Sequence, residues 1–365
     1  MTMHLRSPGL TRRESLNLLG AGAGLGLVAG LRGNGGLSAA PKATFPKGAI
    51  IRTVLRDVPP DALRTGATLF HEHLSISDPL PPWRTAPANS PPPFSADLDL
   101  MVDEVRATAR DGVSCIVNGG TKDLGQNVDH LRTISTRSGM HIVVAGGLWT
   151  QPAYPPDIAL KSADQIADDF LRDARAERWG ALGEIGTSLT MHPDEVKVLH
   201  AVSQVHLRTG LPIFTHTPHQ GCRKCAMEQL DILESQGVNP NILCIGHLSD
   251  ITDDPRAETH KAIARRGAFL GFDTVGHQIT QPDSKKVGMI LALLEAGYED
   301  RILLSADFAR LQELKTNGGA GYSSVVTVFV PKLRYAGVKE ATIHRILVDN
   351  PRRFLAFVPK KTSQA

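Results

Sequence analysis

Two histidines one residue apart, His71 and His73, close an apolar run, Ala67-Thr68-Leu69-Phe70. On a strand, side chains at i and i+2 leave the same face, so both imidazoles converge on one point, which suits a metal ion. Alone the pair says little, because two histidines can fall together by chance on a half-exposed strand. Its weight comes from what recurs downstream. Glu184 lies in Gly183-Glu184-Ile185-Gly186, His216 follows Pro212-Ile213-Phe214-Thr215, His247 follows Ile242-Leu243-Cys244-Ile245-Gly246, and Asp307 follows Ile302-Leu303-Leu304-Ser305-Ala306. A charged or imidazole group ending an apolar run is costly unless it has a partner. Four imidazoles and two carboxylates exceed the needs of one tetrahedral ion. They suit two divalent ions about 3.5–4 Å apart with an acid between them. Such a pair makes hydroxide available near neutral pH and polarises the bond under attack, while a free carboxylate oxygen takes the water proton. Zinc is the default metal for a histidine-rich site.

Converging these residues requires a scaffold that brings many strand ends together. Apolar strand-type runs fall at residues 67–71, 113–118, 141–147, 181–185, 211–216, 242–247, 268–273 and 301–306. The runs 113–118 and 142–145 are almost continuously apolar, as expected of parallel strands covered on both faces. Between them lie helical patterns, among them 97–110, 162–178, 192–209, 225–236, 254–266, 284–296 and 325–335, with a last helix over 341–347 ending near Asn350-Pro351. The spacing of about 30 residues is that of a βα unit. Eight units predict an α/β fold of the (β/α)8 TIM-barrel type, whose C-terminal face is where active sites are found. The rival, a doubly wound open sheet, is weakened because no G-x-G-x-x-G or Walker lysine motif follows a strand. A proline-rich segment from Asp78 to Pro93 follows the first strand and is expected to lie as a loop over the C-terminal face, or to serve as a stiff linker.

The chain has 365 residues, is 41% hydrophobic and 21% charged, and carries a formal net charge of +3. That is ordinary globular composition, with no basic run of the kind that tracks phosphates, so no nucleic-acid partner is expected. The first residues differ from the rest. Arg12-Arg13 precede a Gly/Ala/Leu-rich stretch, and Ser38-Ala39-Ala40 follow it. Residues 1–40 therefore read as a twin-arginine-type signal peptide and 41–365 as one barrel domain, exported to the periplasm. No other stretch approaches the ~18–20 apolar residues of a membrane span. Cys115 and Cys244 sit in apolar runs and are expected to be buried. Cys222 and Cys225 form a lone CxxC, read as a local disulfide or two free thiols rather than half of a zinc site.

Together these residues and motifs resemble the phosphotriesterase family of the amidohydrolase superfamily, across about residues 45–357. Beyond the ligands, the resemblance rests on Gly183-Glu184-Ile185-Gly186-Thr187-Ser188, Thr215-His216-Thr217, Glu228-Gln229-Leu230-Asp231-Ile232-Leu233, Gly271-Phe272-Asp273-Thr274-Val275-Gly276, Asn317-Gly318-Gly319-Ala320-Gly321-Tyr322 and Asn350-Pro351. It implies that His71, His73 and Asp307 bind the more buried metal and that His216 and His247 bind the more exposed one. It also implies that Asp307 takes the proton of the bridging hydroxide. The bridging position is a carboxylated lysine in the phosphotriesterases proper. Glu184 matches that position here, which is similar to the glutamate-bridged, phosphotriesterase-related branch. The implied activity is metal-dependent hydrolysis of a small-molecule lactone, ester or amide, with a weak phosphotriesterase side activity. A phosphotriesterase proper is the nearest alternative, and a non-catalytic exported metal- or solute-binding barrel is the alternative of another class. A homodimer is a further expectation from the resemblance.

Other residues are weaker candidates. Asp273 is expected to hydrogen-bond a ligating histidine or orient substrate, or only to cap a turn. Trp149, Tyr154 and His277 fall in strand-end loops that would line a substrate pocket. Arg310 would meet an anionic substrate group, though an ordinary surface arginine is the simpler reading. His219 reads as a solvated loop residue, with support of a ligand as the alternative. His192, His200, His206 and His260 lie in helical segments and are expected to be solvated.

Overall fold

In the computed structural model, the described residues are 43–77, 92–276 and 280–360. All of them fall within one unit, Lys42–Ala365. The expected signal segment lies outside them, as do His277 and most of the proline-rich segment.

A short antiparallel pair, β1 (Ile51–Arg52) and β2 (Asp57–Val58), precedes eight further strands. These are β3 (Ala67–Glu72), β4 (Val113–Asn118), β5 (His141–Gly146), β6 (Ala181–Gly186), β7 (Ile213–His216), β8 (Leu243–Ile245), β9 (Phe269–Phe272) and β10 (Ile302–Leu304). They pair in sequence order, each parallel to the next. The ends of the series meet beyond the last strand: Asp307 N–H donates to the His71 carbonyl at 3.2 Å, and His73 N–H donates to the Phe308 carbonyl at 3.1 Å. The architecture is the expected (β/α)8 barrel, and each of the eight expected strands is present within about two residues.

The helices between the strands are α1 (Leu98–Arg110), α2 (Val128–Ser138), α3 (Ala163–Glu177), α4 (Pro193–Thr209), α5 (Arg223–Ser235), α6 (Glu258–Arg265) and α7 (Asp283–Glu295). Local chemistry sets their ends. The Asp97 side chain caps α1, Ser162 and Gln165 form a capping box on α3, and Gly139 and Gly210 end α2 and α4 in the left-handed region. The helix expected from residue 254 starts at Glu258 because the Asp254 carboxylate accepts from the Glu258 and Thr259 N–H groups at 2.9 and 2.7 Å. The last helix differs more. It runs as α-helix over Glu340–His344, as a wider π turn over Arg345–Asp349, and on as α-helix over Asn350–Leu355. Pro351 was expected to stop it. The π turn shifts the bonding register, with Asn350 N–H reaching back to the Arg345 carbonyl, so a residue without an N–H is accommodated.

Two apolar layers result. Phe70, Cys115, Val117, Val143, Phe214, Cys244, Phe269 and Leu303 fill the barrel together with Ile51, Leu63 and Phe354. The opposite strand faces, including Leu69, Ile116, Ile142, Leu182, Ile213, Ile245 and Leu270, pack under the helices. Strict alternation would send Phe70 and His71 to opposite faces. The pairing of β3 with β4 slips between Leu69 and Glu72, and the His71 ring lies 5.2 Å from the Phe214 ring above the apolar filling.

Candidate metal centre

Glu184, on β6, is the hub. Its Oε2 lies 2.7 Å from His216 Nδ1, 3.4 Å from His71 Nε2 and 3.4 Å from His247 Nε2, and its Oε1 lies 3.3 Å from His73 Nε2. Asp307 Oδ1 approaches His73 Nε2 at 2.9 Å and His71 Nε2 at 3.5 Å. Donor atoms of His71, His73, Glu184 and Asp307 all lie within 4.8 Å of one another. All six ligand residues expected from the strand ends are therefore brought together.

The backbone is shaped to hold them. His247 and Asp307 adopt left-handed conformations, with φ of 53° and 52°. Such conformations are uncommon outside glycine, cost about 1–3 kcal/mol and persist where surrounding contacts impose them. For His247 the constraint is its N–H, which donates to Asp273 Oδ1 at 2.8 Å; for Asp307 it is the bond to the His71 carbonyl. At Gly119 any Cβ would stand 2.4 Å from the His71 ring, so only glycine leaves room for that imidazole.

A second tier of side chains orients the first. Asp273, just past β9, is fully buried and reaches both His71 Nδ1 (3.0 Å) and His247 Nδ1 (3.2 Å). It thereby turns their Nε2 atoms toward Glu184, and it is an orienting residue rather than a mere cap. Tyr322 donates its hydroxyl proton to the His73 carbonyl at 2.9 Å. Gln229 Nε2 donates to the His216 carbonyl and to Thr187 Oγ1, both at 2.8 Å. Asn350 Nδ2 donates to the Glu299 and Ile302 carbonyls and steadies the start of β10. The motif residues far from the ligands in sequence thus act as supports. Glu72 was not anticipated. It is fully buried and accepts from Ser305 Oγ and from the Ala306 and Phe308 N–H groups, clamping the loop that presents Asp307. Burial pushes its carboxyl up to about 7 against the pull of those donors. The available signal was its place between two candidate ligands, His71 and His73.

Electrostatics shows what the cluster demands. Burial disfavours a charged His71, yet Glu184 and Asp307 outweigh it and raise this imidazole to about 10. His73 is likewise raised to about 9, against burial, chiefly by Asp307. His216 is closer still to Glu184, at 2.7 Å, but burial and the neighbouring His247, whose ring centroid lies 4.3 Å away, drive it down to about 4. The imidazoles compete for the same carboxylates, so they cannot all carry charge together. Divalent cations, if bound by neutral imidazoles, would satisfy the carboxylates and remove the competition. Among the described residues the buried His71 Nε2 has no hydrogen-bond partner although it faces two carboxylates, as a donor atom aimed at a cation would. The residues present fit metal.

The weaker candidates divide. Trp149 stands beside the site, its ring edge-on to His216 with centroids 5.3 Å apart, and its backbone N–H donates to Asp123 Oδ2 at 2.8 Å. Tyr154 is buried in the outer apolar layer rather than presented to the mouth. Arg310 is exposed and lines a groove with Pro93, Phe94 and Leu100. His277 is outside the described residues. Of the helical histidines, His192 is exposed and His200 half-buried, but His206 and His260 are buried. They occupy inward positions on their helices, with the Leu211 and Leu248 carbonyls as partners at 2.7 and 3.0 Å, which removes the cost of burial. His219 is not a free loop residue: its Nδ1 lies 2.7 Å from the buried Asp250 Oδ2, and its ring packs against His247. Cys115 and Cys244 are buried as expected, and Cys222 and Cys225 form a disulfide at the start of α5.

A parallel barrel gathering these groups at the C-terminal ends of its strands belongs to the class of metal-dependent hydrolases. A sequence profile of the phosphotriesterase family matches residues 51–355, and the chain belongs to that family. It is 29% identical over 304 residues to the phosphotriesterase homology protein of Escherichia coli (strain K12), covering 80% of this chain and 98% of that protein. N-acetyltaurine hydrolase of Bos taurus is 26% identical over 347 residues, covering 84% and 98% respectively. The crystal structure of a lactonase from Listeria monocytogenes superposes with a TM-score of 0.72 at 26% identity, covering 84% of this chain and 99% of that one.

Proposed function

We propose that the protein is a two-ion hydrolase, zinc-loaded by default, that cleaves a carbonyl substrate: a lactone, carboxyl ester or amide. One observation carries the reading. The two oxygens of Glu184 face four imidazoles at 2.7–3.4 Å, which suits a carboxylate shared between two cations. His71, His73 and Asp307 would hold one ion, and His216 and His247 the other. Bound there, the ions would supply Lewis acidity, acidifying water and polarising the bond under attack.

The chain's own groups do the rest. Asp307 turns Oδ1 toward His73 and keeps its side chain 12% exposed, so Oδ2 is placed to accept a proton from an attacking water. Asp273 holds His71 and His247 in the orientation that presents Nε2. Trp149 walls the side next to His216 and offers an apolar face to the substrate. A carbonyl substrate is favoured over a phosphotriester because relatives carry the names lactonase and N-acetyltaurine hydrolase, and N-acetyltaurine is an amide. Glu184 in place of a longer carboxylated lysine also sets the chain apart from the phosphotriesterases proper.

The test is a panel of lactones, carboxyl esters, N-acyl amides and phosphotriesters given to the zinc-loaded protein, with His216→Ala as control. The expected result is turnover of a carbonyl class, lost in the variant. Fastest turnover of a phosphotriester would overturn the carbonyl assignment, and full activity in His216→Ala would overturn the site. We also propose export to the periplasm, which the character of residues 1–40 and the Cys222–Cys225 disulfide support. N-terminal sequencing of the mature protein tests it, and an intact Met1 on a cytoplasmic protein would overturn it.

A further inference from the structure

His219 lies in the turn between β7 and α5, three residues after His216. Its ring centroid is 5.0 Å from that of His216 and 4.3 Å from that of His247. Its Nδ1 is tied to Asp250 Oδ2 at 2.7 Å. Asp250 is itself fully buried and held by the Thr274 hydroxyl at 2.6 Å and by the Thr280 hydroxyl. With Nδ1 engaged, Nε2 is left facing the cluster, 3.9 Å from Asp307 Oδ2. That separation is too long for a hydrogen bond, so His219 and Asp307 do not satisfy each other directly.

Ring nitrogens of His216, His219 and His247 all lie within 4.8 Å of one another, a grouping separate from that of His71, His73, Glu184 and Asp307. A buried carboxylate on the far nitrogen of an imidazole fixes its tautomer and orientation, as in carboxylate–histidine–metal arrangements. The same device acts on His71 and His247 through Asp273. A solvated loop histidine has no need of a buried, doubly braced aspartate.

We propose that His219 is a third imidazole ligand of the outer metal position, with Asp250 as its positioning residue. The outer ion then has His216, His219, His247 and the shared Glu184, one imidazole more than the family resemblance assigns. This makes the outer position the histidine-rich one and the inner position the one richer in carboxylate. A softer, nitrogen-rich outer site favours zinc or cobalt there over magnesium or manganese. The inference rests on the two-ion reading above.

The experiment is calorimetric titration of metal-free protein with Zn2+, repeated with Co2+ while recording the visible absorption band. Wild type, His219→Ala and Asp250→Asn are compared. His219 is 39% exposed, so its removal is expected to leave the fold intact, which circular dichroism checks. The expected result in His219→Ala is a first equivalent unchanged within about twofold, a second equivalent weakened about tenfold or more, and an altered cobalt band for that second ion. Asp250→Asn is expected to weaken the second equivalent by a smaller factor. Two equivalents with unchanged affinity and an unchanged cobalt band in His219→Ala would overturn the inference, even if turnover fell, because the histidine would then act on substrate or proton instead. A wild type that binds one equivalent would overturn the two-ion reading and this inference with it.

Discussion

The floor and the mouth of the barrel are built from the same strands and could hardly differ more. Within the floor, Phe70 and Phe214 meet edge-on at 6.3 Å, and Phe269 packs on Phe354 at 5.6 Å, among Val117, Val143 and Leu303. A few residues further along, the mouth crowds His71, His73, Glu184, His216, His247, Asp273 and Asp307 into a mostly buried cluster, with two residues in left-handed conformations. The floor minimises its free energy by excluding polar groups. The mouth accumulates desolvated charge, which stores a preference for cations at a cost in stability. The division lets one fold carry a costly site, because the apolar layers below and outside it supply the stability that the site consumes.

The largest expected effect separates the two regions through function. In Glu184→Gln the shared carboxylate is lost. Turnover is expected to fall at least about 10³-fold, roughly 4 kcal/mol in the barrier, and bound metal to drop from two equivalents to one. Thermal unfolding should change little, because the floor is untouched. Steady-state kinetics with elemental analysis measures this, and undiminished occupancy of both positions would break the assignment of the bridge. The converse change is Phe269→Ala, which opens a cavity in the floor. It should cost about 3–5 kcal/mol by denaturant unfolding while leaving kcat unchanged wherever the protein is folded. A marked fall in kcat at constant fold would show that the regions are coupled. The smallest effect lies at their junction. Asp273→Asn keeps the shape but weakens the hold on His71 and His247, so metal affinity should fall about 10–100-fold. An unchanged affinity would reduce Asp273 to a turn cap.

Much of this was legible in the sequence, for reasons that are local. The runs 113–118 and 142–145 are apolar on both faces, and helical periods separate the strands, so the barrel could be read from period and length alone. His71, His216, His247 and Asp307 could be found because each terminates an apolar run, and Glu184 because it interrupts one, where a polar residue has no local reason to be. Pro351 misled, because a π turn absorbs a proline that spacing alone would treat as a stop. His206 and His260 misled because an imidazole on a helix reads as solvated until its carbonyl partner is known.

The sequence by itself determined the order of elements and the chemical types of the candidate ligands, because hydrophobic period and residue type act within a few positions along the chain. Only the tertiary structure decided which polar groups support which ligands. Glu72 finds Ser305 across 233 residues, Asp273 reaches back 202 residues to His71, and Asp250 reaches 31 residues to His219. The direction of a side chain at a strand end is set by what closes over it. That information exists only once the barrel has brought distant loops to one mouth.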